Sequence, residues 1–196
     1  MKALGKGSIA SLVRTGLAIA WWVLWACVIG LVVIAIGYGA LTIIDPNWAA
    51  QADGDLTFGD EKGGSLNVTF DDAGGWIWPI FVPALIIGGV AVAGSLMIVW
   101  RLRKLFDSFS SGEPFRRENA DHLRAIWVIM IAIEIARYVM LGVTSGLIAA
   151  YAGPNVHAEY SLNIDLSTWG SILILIVLAE VFREGARMKE EQELTI

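Results

Sequence analysis

Four long apolar stretches, at residues 15–44, 76–100, 125–152 and 166–182, punctuate a chain of 196 residues. A bilayer core about 30 Å thick accepts a helix of roughly 20 apolar residues. Lipid offers the backbone no hydrogen-bond partners, so a stretch of this kind must pair its peptide groups internally. The first stretch holds no charged residue and ends at Asp45-Pro46, where helix-breaking chemistry begins. The third is interrupted by Glu134 and Arg137 and stops at Gly153-Pro154, and the fourth, the shortest, carries Glu180 near its end. With 56% hydrophobic and 17% charged residues, composition excludes both a water-soluble globule and a disordered chain. The reading is a single membrane domain over residues 1–196, an all-α integral membrane protein built as a four-transmembrane-helix bundle.

Lys2, Lys6 and Arg14 precede the first stretch, and Ala50-Gln51-Ala52 resembles a signal-peptidase site. The apolar run is nevertheless far longer than the roughly 7 to 15 residues of a signal-peptide core, and the triplet lies well past its end. The segment reads as an uncleaved anchor.

Orientation follows from the basic residues, which insertion retains on the cytoplasmic side. Of the 14 Lys and Arg, 12 fall on one proposed side: Lys2, Lys6 and Arg14; then Arg101, Arg103, Lys104, Arg116, Arg117 and Arg124; then Arg183, Arg187 and Lys189. Lys62 alone lies in the opposite loops, among Asp45, Asp53, Asp55, Asp60, Glu61, Asp71 and Asp72. Both termini are expected in the cytoplasm. Trp48, Trp76, Trp78 and Trp169 mark the outer interface, with Trp100 and Trp127 at the inner one.

In the first outer loop, residues 45–75, two β-prone runs flank Gly59-Asp60-Glu61-Lys62-Gly63-Gly64, which predicts a β-hairpin. The second outer loop, residues 153–165, leads into an alternating stretch over 158–166 that supplies a third strand, because an isolated hairpin is marginal in water. The expected product is a small extracytoplasmic sheet capping the bundle, either as closure or as a ligand-binding lid. On the inner side, residues 101–124 form a basic helical hairpin, with Leu102, Leu105, Phe106 and Phe109 along one side of its first arm and Phe109 and Phe115 closing its tip. Residues 183–196 form a charged tail whose Glu and Arg repeat at four-residue intervals, ending in a strand-like Leu194-Thr195-Ile196.

Gly112-Glu113-Pro114-Phe115 with Asn119 and Leu123-Arg124, then Val181-Phe182-Arg183-Glu184-Gly185, then Glu193-Leu194-Thr195-Ile196, together resemble the bacterial four-span family catalogued as domain of unknown function 2975. The resemblance runs over essentially the whole chain in span order, although its specific motifs sit in the two inner segments. Trp127 departs from the small residue that many members carry there. The resemblance implies an inner-membrane location and a soluble helix-turn-helix regulator as neighbour and partner, and it implies no activity.

An enzyme needs a nucleophile with its base, paired carboxylates or a metal constellation in one place, and none is legible. Cys27 is the single cysteine, and His122 and His157 belong to opposite sides of the bilayer. No metal and no cofactor is expected. A formal charge of -5 argues against direct nucleic-acid binding. The intramembrane pair Glu134 and Arg137, one turn apart, should face the bundle as either a structural ion pair or a gated site. Arg103, Lys104, Phe109, Phe115, Arg116, Arg117 and Arg124, joined by Arg183, Arg187, Leu194 and Ile196 of the tail, form either a docking surface for a soluble protein or a surface for lipid headgroups. Gly89 with Ala93, and Gly142 with Gly146, space small residues four apart, for a homo-oligomer seam or for packing within the chain. The functional expectation is a non-catalytic membrane regulator or sensor contacting a soluble cytoplasmic partner. The alternative is a transporter or channel component using Glu134 and Arg137.

Overall fold

The computed structural model describes residues 9–45, 48, 54–60, 62–70, 78–110, 116–151 and 156–193. Its elements run α1 (Ile9–Ile44), β1 (Gly54–Asp60), β2 (Gly64–Phe70), α2 (Trp78–Ser110), α3 (Arg117–Tyr151), β3 (Val156–Ser161) and α4 (Leu166–Glu193). All four helices are long and apolar enough to cross a membrane. The chain is thus mostly helical, with four long apolar helices and one small sheet.

Two compact units divide the contacts. The first collects the described residues of 1–26, 92–132 and 167–196, and the second those of 27–91 and 133–166.

In the first unit, α2, α3 and α4 bury Leu105, Leu123 and Ala179 together, flanked by Leu102, Phe109, Trp127, Leu175 and Phe182. Helical spacing places Leu102, Leu105 and Phe109 on one side of α2, and that side packs as the sequence leads one to expect. The Phe109 ring stacks on Phe182 of α4, centroids 5.7 Å apart. Phe115, paired with it in the sequence reading, lies outside the described residues, as do Leu194 and Ile196. Asn119 in the first turn of α3 is 1% exposed and donates its side-chain N–H to Ser108 Oγ at 2.9 Å, joining the start of α3 to the end of α2. A buried amide of this kind needs such a partner. Trp127, partly buried, packs against this core.

The second unit contains the sheet, antiparallel in the order β1-β2-β3. Residues 62 and 63 are in a turn, Asp60 pairs with Gly64, and Gly59 and Gly64 adopt φ of 88° and 90°. Only glycine takes this left-handed region without penalty. At both sites a Cβ would also run into backbone, the Gly64 carbonyl in one case and the Ser161 carbonyl in the other. The third strand starts two residues earlier than the alternation suggests and ends at Ser161, because Leu166, read as its last residue, already opens α4.

Strand side chains alternate between faces, and the sheet uses this fully. Leu66 and Val68, 0% and 1% exposed, pack with Ile80 of α2 and with Leu141 and Ile148 of α3, and Phe58, Phe81 and Val156 close the edges. The sheet therefore lies lengthwise on α2 and α3 through its apolar face. On the other side of α2, Leu31 of α1 packs against Gly88, and Tyr38 stacks on Phe81 with centroids 4.1 Å apart. The close helix approach falls at Gly88. A Cβ at Gly89, Gly142 or Gly146 would meet nothing within 4 Å, so among the described residues those glycines are not helix-packing positions.

Candidate functional site

Glu134 and Arg137 sit three residues apart on α3, which places them on one face of the helix. The Arg137 guanidinium donates to Glu134 Oε1 at 2.5 Å. The side chains are 8% and 20% exposed, so the pair is buried. What the sequence does not reveal is the third participant. Gly63, buried in the turn between β1 and β2, lies directly on the guanidinium, and a Cβ there would occupy the position of its terminal nitrogens. The hairpin thus ends on the charged centre of α3. Gly63-Gly64 reads as turn chemistry alone, and no local signal in the sequence links that turn to an arginine 74 positions away.

Tyr138 extends the cluster. Its ring lies 5.0 Å from the Arg137 guanidinium carbon, Arg137 donates weakly to its hydroxyl at 3.4 Å, and that hydroxyl donates to the Asn163 carbonyl at 3.3 Å. Asn163 belongs to the four-residue connection between β3 and α4. Tyr138 thereby ties the ion pair to the segment that launches α4. Nearby, the Ser65 and Ser161 hydroxyls are 3.0 Å apart across β2 and β3. The turn, the ion pair and the entry to α4 meet at one level of α3. Further along α3, the buried Thr144 hydroxyl donates to its own helix at Met140 O, 2.7 Å away. It also borders an apolar pocket with Phe58, Ile80 and Pro83. A Pro inside a helix removes one backbone bond, and close packing makes that tolerable.

Among the described residues, the basic side chains before and after α3's start and at the end of α4 fall into several settings. Arg103 turns to the Trp21 ring of α1, 5.5 Å away, and Lys104 lies 3.9 Å over Trp100. Cations on indole faces are stabilised by the ring quadrupole. Lys104 and Arg116 border a polar recess of about 500 Å³ together with Asp107, Ser108, Asn119 and His122. His122 Nδ1 there is 3.2 Å from Arg101 Nη1. Arg117 belongs to a separate recess of about 410 Å³, where it joins Arg183, Glu184, Arg187 and Glu190 of α4. The start of α3 and the charged end of α4 are therefore brought together, as a shared surface requires, whereas Arg124 is exposed outside both recesses. Glu180 pairs with Arg183, Glu184 with Arg187 at 2.6 Å, and Arg187 also with Glu191 at 3.5 Å. Most of these contacts use the three-residue spacing rather than the four-residue one emphasised by the sequence.

Among the described residues, no three of His, Cys, Asp and Glu gather as a metal site would require. A family model described as protein of unknown function, DUF2975, matches residues 74–196. No curated protein and no solved structure matches the chain.

Proposed function

Since the chain belongs to the DUF2975 family, a family without an assigned activity, we propose that it is a non-catalytic regulator of the bacterial inner membrane, with α1 to α4 as its spans. Both termini face the cytoplasm in this reading, following the 12 basic residues assigned to that side. The strands connect to the outer ends of the helices, and the sheet receives a signal from that side. The inner ends of α2, α3 and α4 pass it to a soluble cytoplasmic protein, with a small helix-turn-helix regulator as the partner class.

One observation carries this reading: the turn of the hairpin rests on Arg137, with no room for a side chain between them. A shift of the hairpin presses on the guanidinium, the end of a long side chain held by Glu134, and α3 continues from there as one helix to Arg117. Packed elements respond to such displacements as units because interiors transmit strain. The polar recess with Lys104 and Arg116 and the arginine recess with Arg117 both lie where α3 begins. Arg137 and the start of α3 thus belong to one continuous helix, along which this reading runs. The ion pair itself orients α3, since a buried pair held by neighbouring hydrogen bonds favours one arrangement over others.

A photocrosslinker at Arg116 in native membranes tests the reading. It should capture a discrete soluble protein, and Gly63→Ala should change that yield several-fold while the neighbouring exposed Lys62→Ala leaves it unchanged. Lipid adducts alone, identical in all three proteins, would refute a regulatory contact.

A further inference from the structure

We propose that a second copy of this chain covers the polar face of the sheet, the two copies being related by a two-fold axis along the membrane normal. The proposal rests on the reading of the helices as spans, and its test separates the two.

The argument starts from alternation. With Leu66 and Val68 turned to the helices, Asn67 and Thr69 point the other way, and the register sets Asp55, Thr57, His157 and Glu159 beside them. All six are exposed. This face would be unremarkable above a membrane, but its depth is wrong for that. The turn lies at Arg137, 14 residues below the Trp78–Tyr151 ring pair, or about 21 Å at 1.5 Å per residue. A second marker agrees. Phe58 of the sheet borders one apolar pocket with Ile80, Pro83, Ala84 and Ile87 of α2, while α1 packs along the same stretch of α2 at Phe81 and Gly88. Beside that stretch α1 exposes Ile29, Val32, Ile36 and Ile43, which is the surface a helix presents to lipid. The sheet therefore stands at hydrocarbon depth with six polar side chains outward, and Lys62 is exposed at its turn. Polar groups facing hydrocarbon unpaired are strongly unfavourable, so something polar must cover them.

The register identifies the occupant. Rotation about an axis parallel to the strands and in front of β2 keeps every residue at its own depth and exchanges β1 with β3. Asp55 and His157 both flank Thr69, and Thr57 and Glu159 both flank Asn67. Asp55 of one copy then faces His157 of the other, Thr57 faces Glu159, and Asn67 and Thr69 face themselves. An acid meets an imidazole, and a hydroxyl donor meets a carboxylate. The face is self-complementary under the symmetry expected of two identically inserted chains.

Disulfide trapping in native membranes tests this in a Cys27→Ser background. Asn67→Cys, on the axis, should form a homodimer under mild oxidation, whereas Leu173→Cys on the exposed side of α4 should not. Copies carrying Asp55→Cys and differently tagged copies carrying His157→Cys should crosslink only when co-expressed, because β1 and β3 of one sheet are about 9.5 Å apart, beyond the roughly 7 Å reach of a disulfide. His157→Asp should lower the Asn67→Cys dimer yield at least about threefold, and the swap Asp55→His with His157→Asp should restore it, a recovery that misfolding does not produce. Asn67→Cys protein that stays monomeric and reacts freely with an impermeant thiol reagent overturns the proposal, as does crosslinking to a different protein. Release of the chain by alkaline extraction would count against the spans themselves, whereas a monomer that remains in the membrane fails only the dimer.

Discussion

Glu134 and Arg137 form a buried ion pair on α3, and their spacing makes the pairing legible from sequence. A carboxylate and a guanidinium one turn apart inside an apolar run have few other partners. Their contact with Gly63 was not legible, because a glycine in a Gly-rich turn is already explained by local conformation and its neighbours in space leave no trace in its neighbours in sequence. Neutralising either charge alone leaves the other buried without its counter-ion. Glu134→Gln and Arg137→Gln should each destabilise the protein by about 3 kcal/mol. The double variant should lose less than the sum, with a coupling of about 1–3 kcal/mol, as expected of residues in direct contact. Thermal unfolding of the purified protein in detergent supplies the four values, and strict additivity would show that the pair is not coupled. The inner arginines were less legible. Their common charge reads as one patch, yet Arg103 is drawn to Trp21, Arg117 to the end of α4 and Arg116 to the recess with His122, each by its angular position on its own helix.

The helices and strands follow patterns that a sequence displays directly. The 3.6-residue period continues past Trp100, and α2 continues with it to Ser110. Period-two alternation around the glycine turn yields the hairpin, and the stretch after Gly153-Pro154 yields the third strand. The direction in which the sheet lies was hidden, since alternation specifies an apolar face without saying what covers it. Leu66 and Val68 turn out to pack on α2 and α3, so the sheet belongs to the helical core as well as to the loops. Burial on one face gives a sharp expectation. Leu66→Ala, at a fully buried position, should cost about 2–5 kcal/mol, whereas Leu56→Ala, at a position 40% exposed, should cost less than about 1.5 kcal/mol. The same unfolding measurement ranks them, and equal losses would mean that the sheet is not seated on its apolar face.

At the scale of the whole molecule, α3 is one continuous helix that carries the ion pair and, at its start, residues of both charged recesses. Orientation rests on the distribution of lysine and arginine and is tested by labelling intact cells in a Cys27→Ser background. A cysteine at Tyr151, exposed at the end of α3, is expected to be outside and one at Arg116 inside, so an impermeant reagent reaching the cysteine at Arg116 would reverse the assignment. The central claim is more specific: the hairpin runs along α3 to the ion pair rather than resting on the ends of the helices. Spin labels at Lys62 and Tyr151, in protein diluted with unlabelled copies so that only distances within one chain are read, test it by dipolar spectroscopy. The 14 residues between Arg137 and Tyr151 give an expected separation of about 20 Å. A separation below about 10 Å would place the turn at the mouth of the bundle and contradict the coupling of sheet to α3.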